Sequence, residues 1–150
     1  MRQTKYWIPA FAGMTLLAAG TAFATDSFLS KDKQPEFLPV DQAFELEPLV
    51  WKDGLLEVSW HIHKDYYLYR DRLKFTAPPA LKLGKPLLPA SAPHEDEHFG
   101  TTQVYREKLL VQLPLAKDYK GPVSVTVVYQ GCADAGLCYP PQTRTIEAGR

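Results

Sequence analysis

Charge of one sign is missing from this sequence: its 150 residues carry 17 Lys and Arg against 17 Asp and Glu, for a formal net charge of zero. A nucleic-acid binder needs a basic face, so that class of partner is set aside. Long apolar runs are missing too. No stretch reaches the roughly 18 residues of a membrane-crossing helix, and this segment is expected to make no membrane contact of its own. Cysteine is scarce, with two in the chain, and they show neither the C-x-x-C spacing of a thioredoxin motif nor a paired zinc-ligand pattern. No metal and no cofactor are expected. Long helix-forming stretches are lacking as well, because 13 prolines break helices while fitting turns and strand edges. The remainder, 45% hydrophobic and 23% charged residues, is an ordinary globular composition of one-domain length.

The first two dozen residues read as a targeting signal. Arg2 and Lys5 precede a mostly apolar stretch from Trp7 to Ala19, no acid appears before Asp26, and Ala22-Phe23-Ala24 supplies the small-x-small cleavage pattern. Residues 1–24 are therefore expected to be a signal peptide and residues 25–150 the exported domain. Export places the two cysteines where disulfides persist.

The exported part reads as all-β. Leu56, Val58, Trp60 and Ile62 alternate with Glu57, Ser59, His61 and His63, the period-2 signature of a half-buried strand, and Val123, Val125 and Val127 repeat it. Further strands are expected over Tyr67–Phe75, Val104–Leu113 and Ala43–Trp51. Turn chemistry separates them at Lys52-Asp53-Gly54, Pro78-Pro79, Leu83-Gly84-Lys85-Pro86 and Lys120-Gly121-Pro122. Short strands at this spacing favour an antiparallel β-sandwich. Thr25 to Pro39 is polar and reads as an arm or edge strand. Pro86 to Gly100 reads as a long loop, the kind that often carries function.

The cysteines lie in Gly131-Cys132-Ala133-Asp134-Ala135-Gly136-Leu137-Cys138-Tyr139-Pro140-Pro141, at the two feet of a turn for which Asp134 and Gly136 are suitable residues. Their Cα atoms could come within the ~4.4–6.8 Å of a disulfide. Closing so short a loop removes only some 2.4 kcal/mol of unfolded-state freedom, and a sandwich of this size can bury enough core to fold without it. A short exposed disulfide is also easily attacked and re-formed. A lone pair in an exported domain is nonetheless more often structural. Two readings stay open: an exchange-active disulfide, or a binding module whose disulfide pins a hairpin. A third, a metal carrier using His61 and His63 on one strand face, lacks a third ligand at recognisable spacing.

The segment Tyr129–Pro141 resembles the active-site segment of the N-terminal periplasmic domain family of the thiol:disulfide interchange protein DsbD. Three more segments agree in order: Phe37-Leu38-Pro39-Val40-Asp41-Gln42-Ala43-Phe44, the tyrosine-rich Tyr66-Tyr67-Leu68-Tyr69-Arg70, and His94-Glu95-Asp96-Glu97-His98-Phe99-Gly100 with Val104-Tyr105-Arg106. The resemblance implies an immunoglobulin-like sandwich at the periplasmic end of a longer inner-membrane protein, acting as a protein-disulfide reductase. It implies a thioredoxin-like C-terminal domain of the same protein as electron donor. Periplasmic disulfide isomerases and cytochrome c maturation thioredoxin-like proteins are the implied acceptors. Cys138 would form the mixed disulfide and Cys132 would resolve it.

The same resemblance makes Asp96, Glu97, His98, Phe99 and Gly100 a cap loop, with Gly100 a hinge. The family carries an aromatic residue where this sequence has His98, so either His98 or Phe99 takes the shielding position, and an imidazole there would make shielding pH-sensitive. Asp96 and Glu97 are candidates for proton transfer or for tuning the thiols, with a solvated acidic loop as the alternative. Tyr67 and Tyr69 fall on one strand face, which the resemblance places beside the cysteines, with plain packing as the rival account.

Overall fold

The computed structural model describes residues 36–148; the expected signal peptide and most of the expected N-terminal arm lie outside them. After a one-turn helix α1 (Val40–Ala43) come β1 (Phe44–Leu46), β2 (Val50–Lys52), β3 (Leu55–Ile62), β4 (Tyr66–Tyr69), β5 (Lys74–Thr76), β6 (Ala92–Asp96), β7 (Gly100–Tyr105), β8 (Lys108–Pro114), β9 (Ser124–Tyr129), β10 (Gly131–Ala133) and β11 (Gln142–Glu147). All strand pairs within the sheets are antiparallel. The first sheet is built on β3, which pairs with β1 and β2 at its two ends and with β8 along nearly its whole length. A second sheet runs β10-β4-β7-β6 and a third β11-β9-β5.

The alternation in β3 is what makes this a sandwich. Leu56, Val58 and Trp60 stand opposite Leu113, Val111 and Leu109 of β8, and all six are fully buried. They meet Val125, Val127 and Tyr129 of β9 and Leu68 and Tyr105 of the second sheet in one core. Each such aliphatic side chain contributes about 1.5–3 kcal/mol on full burial. Trp60 packs edge-on against Phe75 and Tyr129, and Phe44 against Tyr66, Tyr129 and Tyr139.

Four expected segments are redrawn. The run Tyr67–Phe75 is not one strand: a 3-10 turn at Arg70–Arg72 carries the chain from β4 in the second sheet to β5 in the third. Val104–Leu113 is broken at Arg106 and Glu107, the latter at φ 64°, so β7 and β8 enter different sheets. Ala43–Trp51 divides into the end of α1, β1 and an exposed β2 that leaves Trp51 in solvent. The expected loop from Pro86 to Gly100 contains β6, whose edge position tolerates Pro93. The partners of β4, β5 and β8 are distant in sequence, where local pattern does not reveal them, whereas β2 and β6 pair with the strands that follow them.

Candidate functional site

Register assembles the site on the second sheet. Cys132 is directly opposite Tyr67, Tyr69 opposite Val104, Val104 opposite Ala92, and Asp96 opposite Gly100. Because side chains alternate faces along a strand, Cys132, Tyr67, Tyr69, Val104, His94 and Asp96 all project from one face. The other face sends Leu68, Tyr66, Tyr105 and Ala133 into the main core. Tyr67, Tyr69, Val104 and Cys132 form their own small apolar cluster, with Cys138 packed against it.

Gly131 lets β10 press onto β4: a Cβ there would lie 2.3 Å from the Tyr67 carbonyl oxygen and 2.5 Å from the Phe44 ring. The chain then turns through Asp134–Gly136, with Ala133 N–H donating to Leu137 O at 2.7 Å and Gly136 N–H to Ala133 O at 2.9 Å. This returns Cys138 opposite Cys132. The two form a disulfide with Cα atoms 4.0 Å apart, somewhat closer than the expected window. The sulfurs are unequal in access: Cys132 is 0% exposed, whereas Cys138 is half-buried.

Above them stands the β6–β7 hairpin, whose tip is Glu97–Phe99. Asp96, 8% exposed, holds that tip together. Its Oδ1 accepts the His98 N–H at 2.7 Å and the Phe99 N–H at 3.0 Å, and its Oδ2 accepts the Tyr67 hydroxyl at 2.8 Å and the Tyr69 hydroxyl. Burial works against the Asp96 charge, but the bonds from Tyr69, Tyr67 and the two amides outweigh it and bring the pKa down to about 2. Burial first, and the bond to Asp96 second, raise Tyr67 to about 12 and push Tyr69 further up. Both phenols therefore stay protonated at neutral pH. The Tyr69 oxygen also lies 3.1 Å from Cys132 Sγ and 3.9 Å from Cys138 Sγ.

The expected cap residues divide between two jobs. The Phe99 ring meets the Tyr69 ring edge-on at 5.4 Å, and the Arg72 guanidinium sits 4.7 Å above the Phe99 ring. His98, exposed, lines a cavity of about 270 Å³ with His94, Glu97, Asp134 and Cys138. Glu97 is exposed, unlike Asp96, so the two carboxylates stand in different surroundings. Gly100 ends the tip at φ 71° with open space where a Cβ would be, so its backbone angle, and not crowding, favours glycine there. His61 and His63 are exposed and line a separate cavity that also takes in Arg106 and Asp134.

Sequence reasoning gave no site role to Arg72, nor to His94 and Arg106, which entered only as members of the matching segments. Arg106 makes a bidentate pair with Asp134 at 3.0 and 2.8 Å and lies 5.0 Å over the Tyr67 ring. Asp134 reads in sequence only as a turn former, and nothing in local pattern links positions 28 apart.

An antiparallel sandwich bearing, on one sheet face, a disulfide with one open sulfur beneath a hairpin tip is a distinct class of all-β domain. The chain belongs to the family of N-terminal domains of the thiol:disulfide interchange protein DsbD, whose family model matches residues 34–149. The fold is the immunoglobulin-like sandwich of that family. DsbD of Yersinia pestis is 42% identical over 120 residues, 80% of this chain and 20% of its own length. DsbD of Pseudomonas sp. is 43% identical over 140 residues, 93% of this chain and 23% of its own. The chain thus spans about a fifth of the curated relatives it matches. The reduced N-terminal domain of Neisseria meningitidis DsbD superposes with a TM-score of 0.68 at 34% identity, covering 75% of this chain and 90% of that one. The same domain in complex with the PilB N-terminal domain gives 0.66 at 35%, covering 75% and 87%.

Proposed function

We propose that this domain exchanges thiols and disulfides through Cys132 and Cys138, as a reductase of protein disulfides. The observation that carries the reading is the unequal burial of the two sulfurs. Exchange needs a sulfur that a thiolate can approach in line, and Cys138 offers one while Cys132 does not.

In the reduced domain, the Cys138 thiolate attacks one sulfur of a partner disulfide, forming a mixed disulfide and releasing one partner thiolate. Cys132, as thiolate, then attacks Cys138 Sγ. The Cys132–Cys138 bond closes, the second partner thiolate leaves, and each released thiolate takes up a proton. Two electrons have passed to the partner. Tyr69 bears on the second step: its proton is committed to Asp96, so its oxygen offers Cys132 a lone pair. That favours the Cys132 thiol over the thiolate until the cap moves. The Asp96–Gly100 tip, with Phe99 against Tyr69 and His98 lining the same cavity as Cys138, shields the pair from unselective oxidants.

The leader pattern of residues 1–24 and the match of residues 34–149 to the DsbD family support a wider setting: export to the periplasm, attachment to an inner-membrane protein, reduction by a thioredoxin-like domain of that protein, and delivery to disulfide isomerases and cytochrome c maturation proteins. A complex with the PilB N-terminal domain is described for the Neisseria relative, which supports a partner-docking role here.

The test is a titration of the purified protein in glutathione buffers, with the thiols alkylated and counted by mass spectrometry. A reversible two-electron transition is expected, and Cys132→Ala should trap partners as mixed disulfides at Cys138. A bond that stays closed until the domain unfolds would instead mark a hairpin staple.

A further inference from the structure

Arg106 occupies the break between β7 and β8, where Lys108 N–H turns back to Arg106 O at 2.7 Å and Glu107 takes a left-handed φ of 64°. That kink frees Arg106 from the ladder and aims its guanidinium at two parts of the site together. One is Asp134, in the loop between the cysteines, held by two parallel hydrogen bonds at 3.0 and 2.8 Å. The other is the face of Tyr67, 5.0 Å below, whose hydroxyl holds Asp96 under the cap. Asp134 N–H in turn donates to Asp65 O at 2.8 Å, tying the loop to the turn before β4.

We propose that Arg106 is a positioning residue for the cysteine pair: by gripping Asp134 it keeps the loop between Cys132 and Cys138 closed when the disulfide is reduced, and so sets the dithiol–disulfide equilibrium. This rests on the exchange reading above. The reaction in question is balanced: the disulfide takes two electrons and two protons to become two thiols, as two glutathione thiols become one glutathione disulfide.

The S–S bond closes the loop from Cys132 to Cys138, and the ion pair pins Asp134, inside that loop, to Arg106 outside it. Two constraints that order the same loop are thermodynamically coupled, and the coupling is reciprocal: each is more favourable once the other has formed. The pair therefore stabilises the disulfide relative to the dithiol. Planar bidentate geometry matters here, since a lysine meets a carboxylate only as a point charge. Both side chains are partly open to solvent, 38% and 41% exposed, so the expected effect is modest, about two- to fivefold in the equilibrium constant, or ~9–21 mV at 29.6 mV per tenfold.

The experiment is the glutathione titration at pH 7 on the unsubstituted protein, Arg106→Gln, Asp134→Asn, the double variant and Arg106→Lys. Each single loss should shift the equilibrium two- to fivefold toward the dithiol, a more oxidising potential. The double variant should match the singles, and Arg106→Lys should recover only part of the shift. Thermal melts confirm folding of each variant, and Asp134→Asn alone serves should Arg106→Gln fail to fold. An unchanged constant, a shift toward the disulfide, or additive shifts in the double variant would overturn the proposal. Absence of any reversible transition in the unsubstituted protein would instead sink the exchange reading itself.

Discussion

The Tyr69 hydroxyl oxygen lies 3.1 Å from Cys132 Sγ while its proton goes to Asp96. One phenol thus joins the buried sulfur to the carboxylate that organises the cap. Several consequences of this arrangement can be measured.

Asp96 should make stability depend on acidity. Its pKa is lowered on folding, from the usual ~3.9 to about 2. The stability it contributes is complete above the unfolded value and is lost as pH falls through the folded one. At ~1.36 kcal/mol per unit, about 2.5 kcal/mol is at stake. Urea unfolding between pH 5 and 2 should show this slope in the unsubstituted protein, reduced in Asp96→Asn. Equal slopes in both would refute the assignment.

Phe99→Ala should open the cap. It removes the edge contact with Tyr69 and the seat of Arg72, interactions worth about 1.4 kcal/mol together. Alkylation of the reduced pair by iodoacetamide should quicken roughly tenfold. Arg72→Gln, which leaves the ring in place, should give a smaller acceleration. Rates that do not move in either variant would mean the tip is no barrier.

The two thiols should differ in reactivity. With Cys132 at 0% exposure and Cys138 half-open, brief alkylation of the reduced protein followed by peptide mapping should label Cys138 first. Equal labelling would remove the structural basis for assigning the mixed disulfide to Cys138.

Gly131→Ala should damage the site through the backbone. The added methyl would sit 2.3 Å from the Tyr67 carbonyl oxygen, well inside contact distance, and neither Tyr67 backbone nor the Phe44 ring can yield without moving β4 or the core. A loss of at least ~1–3 kcal/mol is expected, read by denaturant unfolding. A variant as stable as the parent would show that β10 can shift freely.

Much of this protein is legible from residues alone. Period-2 alternation in Leu56–Ile62 and Val123–Val127 predicts two core strands, because one buried face forces apolar residues to every second position. The spacing of Cys132 and Cys138 around Asp134 and Gly136 predicts a turn able to bridge them, since that geometry is local. Tertiary structure alone decides the rest. It places Asp96 beneath its own hairpin tip in a buried network, threads a strand through a proline-containing segment that reads as a loop, and breaks Val104–Leu113 so that Arg106 reaches Asp134. Each outcome depends on which strand lies beside which, and in what register. The pairing of β4 with β7 and β10 is settled by contacts between residues far apart in the chain, where a one-residue slip would turn every side chain of the site to the opposite face.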